Sequence, residues 1–360
     1  MPQPRADARL DQTEKRTMSA KTATTTIREM RRPRRWLSDL SGGGLKVLAG
    51  GVARSLFIPL LGIGAFLLIW AIAAARVETS LGQLPGPIQV WGQAVGLYQE
   101  HRDERERESE FYARMQERVD KAVAASKSPE TIDRIASRTY TGNPTFIDQI
   151  WTSLITVATG FLIASVIAIP IGILCGMSAT LYSAINPFVQ VFKPVSPLAW
   201  LPLVTIIVSA VYVSDDPWLA KSFLNSAITV TLCCLWPTII NTTVGVSTVD
   251  RDLMNVSRVL RLSWLKQTVK IILPSAMPMI FTGLRLSLGI GWMVLIAAEM
   301  LAQNPGLGKF VWDEFQNGSS KSLARIMVAV LVIGLIGFFL DRVMLTLQRH
   351  FTWDKNAVLR

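Results

Sequence analysis

The stretch N-V-S-R-V-L-R-L-S-W-L-K-Q-T-V-K-I-I-L-P, residues 255–274, is a polar amphipathic segment between two long apolar runs. Apolar side chains in and beside it recur at helical spacing and predict a short helix over residues 252–263 that lies across a membrane face. These side chains are Leu253, Val256, Leu260 and Leu262. Cations accompany them at Arg251, Arg258, Arg261, Lys266 and Lys270. A charged helical loop of this length between membrane spans indicates that a partner outside the bilayer binds it.

The composition of the whole chain is that of a polytopic membrane protein with soluble appendages. Half of the 360 residues are hydrophobic, and the mean hydropathy is +0.35, which is unusual for a soluble domain. A bilayer-spanning helix needs about 20 mainly apolar residues, and runs of that kind predict six spans. The spans lie at about 56–75, 151–177, 185–213, 218–244, from the end of the loop to 301, and at 323–345. Four prolines interrupt the third run, and we expect neighbouring helices or a water-lined cavity to satisfy the backbone groups they free.

The charge pattern predicts the orientation of these spans. The formal charge is +11, and residues 1–54 hold twelve Lys and Arg against five Asp and Glu. The positive-inside rule therefore places the N-terminus in the cytoplasm, and six crossings bring the cationic loop to the same side. The predicted regions are a basic cytoplasmic tail (1–54), a first transmembrane helix (55–76), an extracytoplasmic charged insert (77–149), a transmembrane domain containing the loop 250–270 (150–346) and a cytoplasmic tail (347–360). The basic tail lacks a fold or aromatic platform for nucleic acid, so no nucleic-acid partner is expected.

The charged part of the insert, residues 99–141, contains apolar side chains at every fourth position among Arg and Glu, which predicts an amphipathic helix. These side chains are Phe111, Met115, Val119 and Val123. Two interpretations stay open. The segment is either a solvated hairpin outside the membrane or a docking surface for a soluble partner.

Several blocks from about residue 150 to 353 resemble one family of membrane proteins. They are F-K-P-V-S-P-L-A-W-L-P-L (192–203), N-T-T-V-G-V (241–246), the loop itself, P-M-I-F-T-G-L-R-L-S-L-G-I-G-W (278–292), A-A-E-M-L-A-Q-N-P-G-L-G-K-F-V-W-D-E-F-Q-N-G-S-S (297–320) and G-F-F-L-D-R (337–342). Their order and wording resemble the ABC-transporter permeases that import nitrate, nitrite, cyanate, bicarbonate or sulfonates such as taurine. The nitrate permeases are the most similar.

The resemblance implies an all-α, polytopic membrane protein with the type I ABC-importer permease (MetI-like) bundle of about six transmembrane helices. It implies a homodimer in the lipid of the bacterial inner membrane, with both termini cytoplasmic. The implied partners are ABC ATPase subunits, which carry ATP and Mg, and a periplasmic or lipid-anchored solute-binding protein. The chain itself would bind no cofactor. The implied cargo is a small inorganic anion, nitrate or nitrite first, with cyanate, bicarbonate or an alkanesulfonate as alternatives.

In that family the loop is the EAA coupling helix, which sits in a cleft of the ATPase. The resemblance therefore assigns ATPase coupling to Asn255, Val256, Ser257, Arg258, Leu260, Arg261 and Ser263. The family usually has Glu-Ala-Ala and then Gly at the turn, whereas here Arg261 stands at the glycine position. Because Gly is the residue best able to adopt a positive φ, we expect the sharp helix–turn–helix to be weakened.

Ionisable residues inside spans predict a transport pathway. Arg285, Trp292 and Glu299 are seven residues apart, so they share one helical stripe with about 20° of drift per step. Charged groups in a span usually face a bundle interior or water. One hypothesis is that Arg285, together with Lys193 from the proline-broken span, makes the pathway electropositive for a small anion. The alternative is that Arg285 and Glu299 reach the two membrane interfaces.

Catalytic functions find no support in the sequence. Gly306-Leu307-Gly308-Lys309 lacks the remaining residues of a phosphate-binding loop. His101 and His350 are the only histidines, so no histidine-based metal cluster or triad is expected. The competing class is a membrane signalling or scaffold protein in which residues 252–263 dock a regulator instead of an ATPase.

Overall fold

The computed structural model describes residues 43–79, 82–213, 219–319 and 321–351, with side chains from residue 57 onwards. The predicted tails therefore lie largely outside the described residues. The helices are α1 (Gly43–Arg76), α2 (Pro87–Ala124), α3 (Pro129–Ala136), α4 (Phe146–Met177), α5 (Ala179–Phe192), α6 (Pro197–Val211), α7 (Lys221–Ser247), α8 (Arg251–Val259), α9 (Trp264–Gln267), α10 (Leu273–Ala302), α11 (Leu307–Asn317) and α12 (Ser322–Phe351). A π-helical turn, Thr268–Ile272, joins α9 to α10. Strands β1 (Glu78–Thr79) and β2 (Gly82–Gln83) form a short antiparallel hairpin. The predicted all-α class is confirmed.

Most of the helical residues belong to candidate membrane spans. In the described part of the chain, five helical segments are long and apolar enough to cross a membrane: Phe57–Arg76, Phe146–Met177, Lys221–Ser247, Trp264–Ala302 and Ser322–Phe351. The described chain divides between residues 69 and 70, within α1, into two compact units. The first helix begins at Gly43, upstream of the predicted start at residue 55.

The predicted third span, 185–213, is a broken one. It begins earlier, at Ala179, and consists of α5 and α6, whose axes are bent by 102°. Pro194 lies in the break, and Ser196 caps the new helix by accepting a hydrogen bond from the Leu198 N–H at 3.3 Å. Proline cannot donate a backbone hydrogen bond and restricts the residue before it, so the chain leaves the helix at this point.

The direction of α7 indicates that α5 and α6 together cross the bundle once. Helices α4 and α7 run in the same direction, since Gly160 lies against Ala227 and Gly176 against Val246. A Cβ added to Gly160 would lie 2.7 Å from the Ala227 carbonyl oxygen, and one added to Gly176 would lie 2.5 Å from the Val246 Cβ. Small residues of this kind let membrane helices approach closely. Two parallel helices need a connection that returns along their length, so the bent pair supplies the sixth crossing.

The packing of the remaining helices defines two ends of the bundle. Helix α10 runs antiparallel to α7, because Gly283 lies against Asn241 and Gly291 against Cys234. Met177 and Ser247, where α4 and α7 end, therefore lie at the same end as α8, which we call the loop end. The start of α4 at Phe146 and the end of α10 lie opposite, at what we call the insert end.

The insert forms a helical hairpin, and the predicted amphipathic helix is present, except that Val123 of its apolar stripe is 57% exposed. Helix α2 is 38 residues long and starts before the predicted segment, because Val90 and Leu97 are buried in the main core of the bundle. Phe111, Met115 and Val119 are half-buried where α3 folds back beside α2.

Candidate coupling and transport sites

Helix α8 in the loop begins and ends with defined caps. The Asp250 side chain accepts a hydrogen bond from the Asp252 N–H at 2.9 Å, which satisfies one free donor of the first turn. At the other end the Leu262 N–H donates to the Ser257 carbonyl at 3.1 Å, and the Arg261 N–H donates to the Arg258 carbonyl at 3.0 Å. This pair of bonds is the Schellman arrangement. The helix covers 251–259 and is thus shorter than the predicted 252–263.

The turn after α8 forms with Arg261 in the left-handed conformation, at φ +47°. The sharp turn is therefore present without the glycine, and the expected weakening takes the form of strain at Arg261. A left-handed backbone costs a non-glycine residue about 1–2 kcal/mol, and the two capping hydrogen bonds help to offset that cost. The helix–turn–helix of the loop is kept, with a strained residue at its corner.

One face of the loop is anchored to the bundle. Ser257 is 2% exposed, and its hydroxyl donates to the Met254 carbonyl at 2.6 Å. Met254 packs against a buried apolar cluster formed by α7, the π-helical turn and α10, which includes Val246 and Ile272. Gln267, from α9, donates to the sulfur of Met254 at 3.5 Å. Both helices of the loop thus meet at one methionine.

The opposite face presents apolar side chains to the surroundings. Val256 is 51% exposed, Val259 82% and Leu260 62%. The term exposed loop face is used for the following set of side chains: Leu253, Val256, Val259, Leu260, Trp264 and Leu265. So many exposed apolar side chains on one charged loop indicate an interaction site.

The predicted coupling residues divide between these faces. Six of them are exposed: Asn255, Val256, Arg258, Leu260, Arg261 and Ser263. The seventh, Ser257, is buried and positions α8 rather than facing outward. Asn255 and Arg258 also line a 460 Å³ cavity between α8 and the ends of α4 and α7.

The loop is continuous with the longest span. From Trp264 to Ala302 the helical segment contains 39 residues. The π-helical turn inside it is held by Ile272, which is fully buried, and by the Thr268 hydroxyl, which donates to the Trp264 carbonyl at 2.9 Å. Trp264 and Leu265 of the exposed loop face therefore lie at the start of the helical segment that contains α10.

Two of the predicted pathway residues contact α12. The Arg285 guanidinium pairs with the Asp341 carboxylate through two hydrogen bonds, the longer at 2.9 Å. The Trp292 indole N–H donates to the Ile333 carbonyl at 3.0 Å, and its ring is buried. Both side chains thus have partners within the chain, and their lining of a pathway stays a prediction.

Glu299, the third member of the predicted stripe, is 0% exposed and lies in a different environment. Its carboxylate accepts hydrogen bonds from the Ser153 hydroxyl at 2.8 and 2.9 Å and from the Gly308 N–H at 3.0 Å. The Ser153 oxygen in turn accepts from the Leu307 N–H at 2.9 Å. Glu299 and Ser153 therefore cap the N-terminus of α11 and tie it to α4 and α10. Its carboxylate is enclosed by neighbouring elements of the chain, and its position relative to a membrane interface stays a prediction.

Lys193 ends α5 at the break in the third span. It is exposed, and the described part of the chain includes no acidic ion-pair partner for it. The side chain lines a 130 Å³ cavity together with other polar side chains of α5 and α7. These are Tyr182, Asn186, Gln190 and Thr243. Sequence reasoning missed this polar face, although positions 182, 186, 190 and 193 recur at helical spacing in an apolar run.

A polytopic helical bundle with one broken span and an exposed, capped loop helix defines a permease-type membrane subunit. Residues 168–352 match the family described as binding-protein-dependent transport system inner membrane component, and the chain belongs to that family. It is similar to the nitrate import permease protein NrtB of Synechocystis, with 40% identity over 54% of this chain and 66% of that protein. It is also similar to the bicarbonate transport system permease protein CmpB of Synechococcus elongatus, with 32% identity over 91% of this chain and 97% of that protein.

A solved structure supports the fold. The MetNI methionine ABC transporter in an inward-facing conformation aligns with a TM-score of 0.50 and 14% identity, over 57% of this chain and 96% of the aligned chain. At that identity the likeness concerns the fold alone. The predicted MetI-like bundle is confirmed.

Proposed function

We propose that this chain is the membrane-spanning subunit of an ATP-driven importer for a small inorganic anion. It would work as a homodimer in the bacterial inner membrane, with two ABC ATPase subunits at the loop end and a solute-binding protein at the insert end. The observation that carries the proposal is the exposed loop face, which is apolar, is anchored to the bundle at Met254 and is joined to α10 through α9. The basic residues of the N-terminal tail and of the loop support a cytoplasmic position for the loop end.

The coupling mechanism follows from this geometry. Val256 and Leu260 would bind a cleft of the ATPase, while Ser257 and Met254 keep α8 fixed to the bundle. Closure of the ATPase dimer on ATP would then move α8, α9 and α10 together. Nucleotide drives such a change only through different affinities for the two conformations, so the contact must differ in strength between the inward-facing and outward-facing states.

The anion route would run along the polar face of α5. Lys193 supplies a positive charge that has no acidic partner within the described part of the chain, whereas the charge of Arg285 is offset by Asp341. The N-terminus of α6, which begins at Pro197, adds the positive end of a helix dipole. Broken helices of this kind supply ion sites in other membrane transporters. Of the two cations considered from the sequence, we therefore favour Lys193.

Nitrate or nitrite is the first cargo, because the blocks quoted above resemble nitrate permeases and NrtB shares 40% identity over 54% of this chain. Bicarbonate is the second, because the similarity to CmpB extends over 97% of that protein. Both are small monovalent oxyanions, so Lys193 and a helix N-terminus suit either.

The test is uptake into proteoliposomes that contain the chain co-purified with its ATPase, supplied with the cognate binding protein and labelled nitrate or bicarbonate. ATP-dependent accumulation of one anion is expected, and a nucleotide-free reaction is the control. The scaffold alternative instead predicts that no ABC ATPase co-purifies in stoichiometric amounts and that no anion accumulates.

A further inference from the structure

The hairpin of α2 and α3 contains a groove that the transport mechanism does not use. Its volume is 690 Å³, and it lies between the second half of α2, α3 and the loops that flank α3. Its lining combines apolar and cationic side chains. We call the following set the insert groove: Phe111, Arg114, Met115, Arg118, Lys121, Lys127, Ile135 and Arg138.

The charge of the insert groove is positive. Five of these eight residues are cations, and two of them have carboxylate partners: Arg114 pairs with Glu110 at 3.7 Å, and Lys121 with Glu117 at 2.6 Å. Both carboxylates are exposed on the surface of α2. The remaining cations are Arg118, Lys127 and Arg138, and none of the acidic residues that the structure describes pairs with them.

The floor of the groove is apolar and held in place. Phe111 packs against Tyr140 with ring centroids 5.5 Å apart, and the Tyr140 hydroxyl donates to Glu104 at 2.8 Å. Met115 and Ile135 are half-buried beside it. An apolar floor with a cationic rim matches an amphipathic surface whose polar side is acidic.

The groove lies far along α2 from the point where this helix contacts the bundle. The base of α2 is fixed at the insert end, where Glu100 pairs with Arg325 at 2.5 Å and His101 bonds Thr145 at 2.7 Å. Arg118 is 18 residues further along the helix, which is about 27 Å at 1.5 Å per residue. The headgroup layer adds only about 5–8 Å to each side of the hydrocarbon core. For a helix that leaves the membrane along its normal, this distance exceeds the headgroup layer, so a soluble macromolecule suits the groove better than a lipid headgroup.

We propose that the insert groove docks the soluble solute-binding protein through an acidic amphipathic face of that protein. The identity of this partner rests on the proposed importer function. The groove is far larger than a single inorganic anion, so its role is to hold the protein that delivers the anion. Complementary charge accelerates the encounter and makes it sensitive to salt.

The first experiment measures uptake by the reconstituted complex while the concentration of cognate binding protein is varied. The double variant Arg118→Glu with Arg138→Glu reverses two unpaired cations of the groove. We expect its half-saturating concentration of binding protein to rise about tenfold, as a loss of roughly 1.4 kcal/mol would give. Maximal uptake should remain. Arg134→Glu, on the exposed side of α3 outside the groove, is the matched control and should behave like the unsubstituted protein.

The second experiment identifies the occupant by photocrosslinking in vesicles of phosphatidylethanolamine and phosphatidylglycerol. A photoreactive amino acid replaces Met115 in the full complex. An adduct with the binding protein supports the docking, whereas a lipid adduct or no adduct overturns it. Unchanged half-saturation in the double variant, with normal uptake, also overturns the docking and leaves the importer function standing. If the unsubstituted complex shows no ATP-driven uptake, the proposed function fails, and this partner fails with it.

Discussion

Arg285 of α10 and Asp341 of α12 form a two-bond ion pair within the membrane bundle, and they join two helices that run in opposite directions. Charged groups in a span are costly unless they are paired or hydrated. The pair therefore stabilises the packing of α12 on α10 and offsets a cation that the sequence alone assigned to the anion pathway. Lys193, at the break between α5 and α6, has no such partner among the described residues.

Breaking the Arg285–Asp341 pair should destabilise the bundle. Arg285→Gln leaves Asp341 as an unpaired carboxylate, and we expect a loss of about 1–3 kcal/mol, below the range for fully buried pairs because both groups are partly exposed. Asp341→Asn should cost a similar amount. Thermal unfolding of the purified variants checks this, and the double variant should be more stable than the sum of the single losses implies. Strict additivity of the two losses would show that the pair contributes nothing.

Lys193 should affect transport rather than stability. Lys193→Gln removes the unpaired positive charge at the break, and we expect the KM for the anion to rise about tenfold, as loss of one favourable charge interaction of roughly 1.4 kcal/mol would give. Folding temperature and membrane abundance should not change. Lys221→Gln, at the exposed start of α7, is the control. Unaltered uptake kinetics in Lys193→Gln would remove α5 from the anion route.

Leu260 should be required for coupling to the ATPase. Leu260→Asp places a charge on the exposed loop face, and we expect the protein to reach the membrane but to lose ATP-driven uptake. The side chain is exposed, so the substitution should leave stability within about 0.5 kcal/mol. Val123→Asp, an equally exposed apolar position on the insert, should keep uptake. Retained uptake in Leu260→Asp would refute the coupling role of the loop.

A substitution at Arg261 is expected to stabilise the loop. Arg261→Gly restores the residue that adopts a positive φ without steric cost, and we expect the turn after α8 to gain about 1 kcal/mol. Hydrogen exchange of the Arg261 and Leu262 amides should slow, because both donate capping bonds. Arg261→Val should speed their exchange, since a β-branched residue tolerates this conformation poorly. Equal exchange in the two variants would contradict the strain at this corner.

An element could be predicted only where the sequence carries a physical signal for it. The spans were predictable because about 20 apolar residues leave an unmistakable pattern. The loop helix was predictable from the spacing of Val256 and Leu260, but its end was not, because the Schellman bonds that place Arg261 at a positive φ depend on backbone geometry. The bend in the third span was indicated by its prolines, whereas its angle is set by packing.

The partners of the charged side chains could not be predicted from the sequence. Seven-residue spacing placed Arg285 and Glu299 on one stripe, but their neighbours differ because several helices surround α10. Pairing of Arg285 with Asp341, 56 residues away, and of Glu299 with Ser153, 146 residues away, requires the tertiary fold. The polar face of α5 had a signal in its helical spacing and was missed.

The capping of α11 by Glu299 and Ser153 should control how firmly this helix is held at the insert end. Ser153→Ala removes the donor to Glu299 and the acceptor of the Leu307 N–H, leaving buried polar groups unpaired, which costs about 1–3 kcal/mol. We therefore expect the amides of residues 307–317 to exchange at least about fivefold faster, since 1 kcal/mol corresponds to that factor. Ser165→Ala, whose hydroxyl bonds only within α4 at 2.7 Å, should leave exchange unchanged. Gly306→Ala should have the larger effect, because its methyl group would collide with the Glu299 carboxylate. If α11 stays equally protected in Ser153→Ala and Gly306→Ala, its position is determined by apolar packing, such as that of Phe310 against Phe146, and the carboxylate is not what holds it.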